Sequence, residues 1–397
     1  TTVHWHGLRH DNFFDGVPTG PHAGVQAPVP PGGSFSYKLR FPDPGIYWYH
    51  PHLREDYAQE HGLYGSIVVE PNDPALWAPS NREISLMLDD ILIEDGQVAR
   101  FSKTMSDHTA MGRFGNVMLV NGDTDFSMEA NKGEVIRFFV TNTANTRFFS
   151  FAIPGARMKL VGGDNGRVER EEFVEEVLLA PSERAVVDVL FERVGQFAIK
   201  HQSPDQSYEL GRIEVGATGA NPSYTAEFEV FRVCEDLVIQ RGMLGDDWQR
   251  APDKTIALVG VMPGMAHRSE HGGTHATDAG IEWEDTMEVM NRTSTPATML
   301  WKLVDRETGA ENNAINWTFK LNDRVKIRIV NELESDHPMP HPFHIHGERF
   351  LVLSRDGEIN PNLVWKDTVL VNTGETLDLV MDASNPGVWM AHCHLLE

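Results

Sequence analysis

Apolar and polar residues alternate in short runs along this chain. Ser34-Phe35-Ser36-Tyr37-Lys38-Leu39-Arg40-Phe41, Val135 to Thr141, Ala185 to Phe191 and Val325 to Val330 are such runs, bounded by Gly, Pro, Asn or Asp. A period of two closed by turn residues predicts half-buried β-strands. No long segment with the 3.6-residue period of an amphipathic helix competes with them. The expected class is therefore all-β, built as sandwiches or barrels.

The strand pattern repeats. One unit runs from Pro31-Gly32-Gly33 through an alternating strand to Pro44-Gly45-Ile46-Tyr47-Trp48-Tyr49-His50-Pro51-His52. A second runs from Pro181-Ser182-Glu183 to Val194-Gly195-Gln196-Phe197-Ala198-Ile199-Lys200-His201-Gln202, and a third from Thr373-Gly374-Glu375 to Pro386-Gly387-Val388-Trp389-Met390-Ala391-His392-Cys393-His394. In each unit thirteen positions separate the two turns. Gly133 to Asn142 and Asn322 to Asn331 form a further matching pair. Three related β-domains account for this most economically. The expected divisions are residues 1–72, 73–222 and 223–397. Glu70-Pro71-Asn72-Asp73-Pro74 is the first linker, Gly216 to Ser223 closes the second unit, and a connection over Tyr224 to Asp253 opens the third. Met262 to Thr277, rich in Gly and His, reads as an exposed loop.

The repeat also shows where the chemistry lies. The first and third units end in His-x-His, whereas the second carries Lys200 and Gln202 at those positions and points His201 to the other face. The outer domains are thus expected to hold ligands, and the middle one to be a spacer.

Charge narrows the partners. Lys and Arg number 34 against 58 Asp and Glu, for a formal net charge of −24, and only 10 of the bases are Lys. Such a polyanion repels phosphate backbones and anionic membrane surfaces, so neither nucleic acid nor membrane insertion is expected. No apolar run reaches the ~18–20 residues of a spanning helix, and the first residues lack the basic and apolar segments of a signal peptide. The acidity fits simple solubility by net charge, adaptation to salt, or attraction of cations. Two cysteines, Cys234 and Cys393, exclude a disulfide scaffold.

Nine of the 18 histidines fall in four clusters: His4-Trp5-His6-Gly7, His50-Pro51-His52, His341-Pro342-Phe343-His344-Ile345-His346-Gly347 and His392-Cys393-His394. Chance would place about one His-x-His pair in a chain of this composition; four are present, two of them at equivalent points of the repeat. Residues i and i+2 of a strand face the same way, so each pair offers two imidazoles to one point. Eight imidazoles exceed the three or four ligands of a zinc site and imply more than one ion. Imidazole with a single thiolate suits copper. On a strand, Cys393 faces away from His392 and His394, so a copper on the thiolate would be covalently joined to two ligands of a separate cluster. His341 can serve the thiolate side while His344 and His346 serve the cluster.

Across essentially its whole length, through the four motifs His-Trp-His-Gly, Tyr-His-Pro-His, His-Pro-Phe-His-Ile-His-Gly and His-Cys-His-Leu-Leu-Glu, the chain resembles the multicopper oxidases, the family of laccases and cuprous oxidases, in their three-domain bacterial and archaeal form. The resemblance implies three cupredoxin-like Greek-key β-sandwiches, with a trinuclear copper cluster between the first and third and one type 1 copper. Carried over by motif, His4 and His344 would bind the type 2 ion. His6, His50, His52, His346, His392 and His394 would bind the type 3 pair, and Cys393 with His341 the type 1 ion. In the family a second type 1 His follows the last motif, and strands precede the first. This chain begins at one motif and stops at Glu397, so the resemblance implies a piece truncated at both ends: a first sandwich short of strands and a four-copper set whose type 1 site lacks its second His.

Asp15, eleven residues after His4, reads as a turn residue before Gly16 or, by the resemblance, as a carboxylate that helps deliver protons to oxygen. Cys234 reads as an inert buried thiol. Met262, Met265, His267, His271 and His275 are expected on a mobile loop, though thioethers and imidazoles can also recruit cuprous ions. Met287, Met290 and Met299 read as packing. Arg54-Glu55-Asp56 reads as a solvated charge run. Asp367 is a weaker candidate for taking a phenol proton beside the type 1 copper.

The function implied is laccase-like: one-electron oxidation of a phenol or aromatic amine, coupled to reduction of dioxygen to water, with Cys393, His392 and His394 as the electron path. A cuprous oxidase for copper tolerance is the first alternative, and a non-catalytic copper-binding protein the second. The wired Cys-His path argues against mere storage. By the same resemblance the protein is exported; its oligomeric state is not legible.

Overall fold

The computed structural model describes residues 1–19, 24–103, 106–263 and 280–396. Met265, His267, His271 and His275 of the expected Met- and His-bearing loop lie outside these residues.

β1 (His4–His6), β2 (Gly45–His50) and β3 (Gly65–Val69) form an antiparallel sheet in that order, with the short helix α1 (Glu55–Glu60) between β2 and β3. The run Ser34 to Phe41, predicted as a strand, carries no strand assignment. Its alternation is real, since Tyr37 packs edge-on against Trp5 and Phe35, but among the described residues its backbone forms no ladder with a neighbour.

In the middle of the chain a five-stranded and a six-stranded sheet enclose the largest apolar cluster, including Leu86, Phe138, Val140, Phe149, Phe151 and Val187. The predicted strand Val135 to Thr141 is observed as Val135–Asn142, and Ala185 to Phe191 as Arg184–Leu190. Every residue of both is buried, because each strand is central in its sheet and covered on both faces.

The last part repeats this plan. Arg324–Asn331, predicted over Val325 to Val330, is flanked by Lys254–Val261 in parallel, just as Val135–Asn142 is flanked in parallel by Arg82–Ile91. That sheet packs through Ile327, Ile329, Val352, Leu377 and Leu379 onto Phe343, Ile345, Val369 and Val371 of a three-stranded sheet. The latter holds β4 (His341–Ile345) between β5 (Thr368–Val371) and β6 (Ala391–Cys393). The connection after Ser223 is helical, over Thr225–Phe228 and Glu235–Met243, and Leu237 of the second helix packs on Leu351 and Leu363. Among the described residues no helix is long and apolar enough to cross a membrane.

Two small apolar clusters join the parts. Ile46 of β2 packs with Trp77, Phe139, Val161 and Val186 of the middle sheets. Phe148 and Ala180 pack with Ile281 and Leu370, with Trp283 and Leu395 against them. These contacts bring β1 and β2 against β4 and β6, which are more than 280 residues apart in sequence.

His201, the histidine of the middle repeat, points into the interior as its strand phase predicts. It is buried, stacks on Tyr208, and accepts the Ser150 N–H at Nδ1 at 3.1 Å. Burial lowers its pKa to about 4. An unfolded chain takes up this proton near pH 6.5, before the folded one does, so folding stability is lost as pH falls from about 6.5 to about 4. The share of His201 is at most about 3 kcal/mol. His201→Phe should lower stability at pH 7, because Ser150 loses its acceptor, and flatten the decline between pH 6.5 and 4.5. Urea denaturation of the metal-free chain at both pH values measures this; an unchanged pH slope would show that His201 does not titrate on unfolding.

Candidate metal centre

Strand register places the imidazoles. In β1 and β2, His4 lies opposite His50 and His6 opposite Trp48. Pro51 ends β2, and the chain turns so that His52 enters the same space. In β4 and β6, His344 lies opposite His392 and Phe343 opposite Cys393. Alternation then sends His344, His346, His392 and His394 to one side, and His341 and Cys393 to the other, as the sequence pattern requires.

On the first side eight histidines meet. The nitrogens of His6, His50 and His394 lie within 4.8 Å of one another, as do those of His52, His346 and His392, and those of His4, His6 and His344. Nε2 of His4, His50, His52, His344 and His394 and Nδ1 of His6 are buried with no hydrogen-bond partner. Nε2 of His346 and of His392 face each other at 3.0 Å.

The opposite ring nitrogens are largely anchored. His4 Nδ1 donates to the Asp15 carbonyl (2.9 Å), His50 Nδ1 to the Pro51 carbonyl (3.0 Å), His344 Nδ1 to the Asp367 carbonyl (2.8 Å) and His392 Nδ1 to the Cys393 carbonyl (2.9 Å). Carboxylates hold three more: His346 Nδ1 at Asp15 Oδ2 (3.0 Å), His52 Nδ1 at Glu55 Oε1 (2.9 Å) and His6 Nε2 at Asp367 Oδ1 (3.1 Å). An imidazole whose proton is fixed on one nitrogen presents a bare lone pair at the other.

Burial keeps most of these rings neutral. It holds His6, His50, His344 and His346 well below the ordinary histidine value, and lowers His392 to about 4 and His394 to about 3. His52 departs from the others: burial pulls it down, but the Glu55 carboxylate outweighs this and raises it. Asp15 is buried, yet His346 and His4 hold its carboxyl well below the usual range.

Buried, neutral nitrogens without partners would be costly in a structure that left them so. The triads His6, His50, His394 and His52, His346, His392, and the group His4, His6, His344, are each arranged so that they could hold a metal ion. Imidazole with a thiolate on the reverse face suits copper. There, His341 Nδ1 lies 3.2 Å from Cys393 Sγ, and Trp301 meets the His341 ring edge-on. Burial lowers the His341 pKa to about 3.

Models of the multicopper oxidase family match residues 1–74, 84–224 and 283–397. The chain belongs to the multicopper oxidase family. Membership makes it an oxidoreductase that uses copper and dioxygen and draws electrons from a reduced donor. The multicopper oxidase MmcO of Mycobacterium tuberculosis is 26% identical over 99% of this chain and 74% of its own. A laccase of Arthroderma benhamiae is 23% identical over the whole chain and 68% of its own. Among solved structures, a multicopper oxidase of Campylobacter jejuni described as a metallo-oxidase superposes with a TM-score of 0.67 at 22% identity, covering 100% of this chain and 77% of that one. The all-β architecture of several sheets matches cupredoxin-like multicopper oxidase structures, as the resemblance implied.

Eight of the nine histidines of the four motifs come together here, with Asp15 behind His4 and His346, and the ninth, His341, is paired with Cys393 on the other side. Two expectations need correcting. Asp367 is not beside the thiolate. It lies behind His6 and His344, paired with Arg184 at 2.7 and 2.5 Å and accepting from Asn165 at 2.8 Å. Nor is Arg54-Glu55-Asp56 simply a solvated charge run. Arg54 and Asp56 pair near the surface, but Glu55 turns inward onto His52.

Arg184 and Asn165 were not foreseen, because each reaches Asp367 from the middle part of the chain. Gly7 reports on them. At φ +84°, it sits where a Cβ would collide with the Asp367 carboxylate and the Arg184 guanidinium, which explains the Gly of His-Trp-His-Gly. Gly16 (φ +85°) likewise leaves no room for a Cβ against the Val3 carbonyl, so that Asp15 can reach the cluster. His10 is a further buried residue. Its Nε2 lacks a hydrogen-bond partner and lies 3.8 Å from Asp15 Oδ1. Cys234, expected to be buried, is half-buried at the start of the Glu235–Met243 helix, and Met287 and Met290 pack on Met111 and Phe114, as expected for packing residues.

Proposed function

We propose that the chain is a laccase-like multicopper oxidase. In this reading His6, His50 and His394 hold one type 3 ion, His52, His346 and His392 the other, His4 and His344 the type 2 ion, and Cys393 and His341 the type 1 ion. Copper in these places would supply one-electron oxidation of a donor and four-electron reduction of dioxygen to water. The observation that carries the reading is the convergence of eight buried imidazole nitrogens, backed by a Cys-His pair on the opposite face of the same strand pair.

The chain's own residues then have separate tasks. Cys393 is bonded in sequence to His392 and His394, giving a short covalent route between the two faces. Asp15 fixes His346 and His4 and, with His10 beyond it, is placed to pass protons toward the cluster. Asp367 and Arg184 hold His6. The domain division we propose remains 1–72, 73–222 and 223–397, the middle part adding Arg184 and Asn165 rather than ligands. Export fits the same reading.

The reading is tested by oxygen uptake with a substituted phenol or aromatic amine as donor, in parallel with Cu(I). Turnover of the aromatic donor with four electrons consumed per dioxygen supports it. Preference for Cu(I) would favour the metallo-oxidase reading, for which the superposition on a metallo-oxidase is the supporting observation. Copper binding without any oxygen uptake would reduce the protein to a copper carrier. Asp15→Ala should lower oxygen consumption about 100-fold or more, since it removes a positioned proton carrier and the anchor of two ligands. Retention of full rate would exclude Asp15 from both tasks.

A further inference from the structure

We infer that Glu55 is a positioning residue for the His52, His346 and His392 triad: it fixes the proton of His52 on Nδ1 and thereby turns the bare Nε2 into the cluster. This deepens the reading above and rests on it for the identity of the metal.

The local backbone is built to return Glu55 to His52. Pro51 interrupts β2, and Arg54 adopts the left-handed conformation at φ 53°, ψ 56°, which an L-residue other than Asn, Asp or Gly rarely takes. That turn starts α1 three residues after His52 and brings Glu55 Oε1 to 2.9 Å from His52 Nδ1. Asn145, from the middle part of the chain, fastens α1 from outside. Its Nδ2 donates to the Asp56 carbonyl at 2.9 Å and to Glu60 Oε2 at 3.1 Å. Its own carbonyl accepts the Leu396 N–H at 2.9 Å, two residues beyond His394. One asparagine therefore ties the helix that carries Glu55 to the segment that follows the last cluster histidine.

Glu55 also differs in kind from the other two carboxylates on the cluster. The Asp15 and Asp367 side chains are 2% and 0% exposed, whereas that of Glu55 is 14% exposed. It is the one of the three in contact with solvent. His50 and His392 are anchored by backbone carbonyls that no substitution of a side chain removes. His52 depends on a side chain, so its orientation can be changed by one residue without touching a ligand.

The test compares Glu55→Ala and Glu55→Gln with the parent chain. Gln keeps an oxygen acceptor for the Nδ1 hydrogen and loses only the charge; Ala loses both. In the metal-free chains, at a pH high enough that His52 is neutral in all three, nitrogen-15 NMR of the imidazoles should show His52 protonated at Nδ1 in the parent and in Glu55→Gln, and a mixture of ring tautomers in Glu55→Ala. After copper loading, Glu55→Ala should bind the ion at this triad about 10–100-fold more weakly. The other ion of the pair, left without its coupling partner, should then give a Cu(II) EPR signal absent from the parent. Glu55→Gln should restore both readouts. A Glu55→Ala chain that keeps the parent tautomer and the parent EPR spectrum overturns the inference. A parent chain that takes up no copper at the cluster overturns the functional reading instead, and the tautomer comparison still decides the role of Glu55.

Discussion

Replacing Arg184 by Met is expected to cost about 3–5 kcal/mol of folding stability, the largest single effect on the fold. Arg184 is fully buried and holds Asp367 through two hydrogen bonds, at 2.7 and 2.5 Å. Its remaining donors reach the carbonyls of Ile46 (3.0 Å) and Ser182 (2.9 Å). The pair thus joins β2, the middle strands and the segment before β5. Removing the guanidinium leaves a carboxylate in the interior with, among the described residues, Asn165, Thr368 and His6 as its remaining side-chain donors. Arg184 also keeps the Asp367 carboxyl below its ordinary range against the opposing effect of burial, so its loss forces that group toward protonation. Adding Asp367→Leu to Arg184→Met should recover much of the stability, because an apolar pair can replace a buried ion pair. It should recover copper at His6 only in part, since His6 Nε2 keeps Thr368 Oγ1 at 2.8 Å but loses the Asp367 carboxylate. Urea denaturation of the metal-free chains, together with copper content after loading, separates these effects. Equal stability of Arg184→Met and the parent would show that the pair contributes nothing net.

The largest effect on activity is expected from Cys393→Ser. Cys393 Sγ lies 3.2 Å from His341 Nδ1, and the residue is bonded through the backbone to His392 and His394. Serine keeps the shape of the side chain and removes the sulfur, and none of the eight cluster imidazoles is touched. Oxidation of external donors should be abolished, with the loss of one copper per chain and any intense visible band, while the cluster copper remains. Oxygen uptake, copper content and the visible spectrum check this. Donor turnover near the parent rate in Cys393→Ser would place the electron entry elsewhere.

How much of this was legible in the sequence depends on how local the cause is. Strand alternation is local, and it correctly sent His344 and His392 to one face and His341 and Cys393 to the other. The repeat sets the His-x-His ends of the outer units apart from Lys200 and Gln202 of the middle one. The run Ser34 to Phe41 shows the limit of that argument: its period of two records an apolar contact of Tyr37 and Phe35, but strand formation needs a hydrogen-bonding neighbour that sequence does not supply. Glu55 carried a signal, since it stands three residues after His52, but a charge run after a histidine is more often solvent-facing. Arg184, Asn165 and Asn145 carried none. Each acts on residues that the fold brings from another part of the chain, and no spacing announces a contact spanning 183 or 202 positions. The middle part therefore looked like a spacer, although its side chains hold Asp367 and the α1 helix in place.

Copper content combined with quantitative EPR of the loaded parent chain tests the central claim most directly. The account predicts about three ions held by the eight histidines, two of them coupled and so EPR-silent, leaving less EPR-detectable Cu(II) than total copper. One ion or none per chain, or several ions that are all EPR-visible and uncoupled, would contradict it.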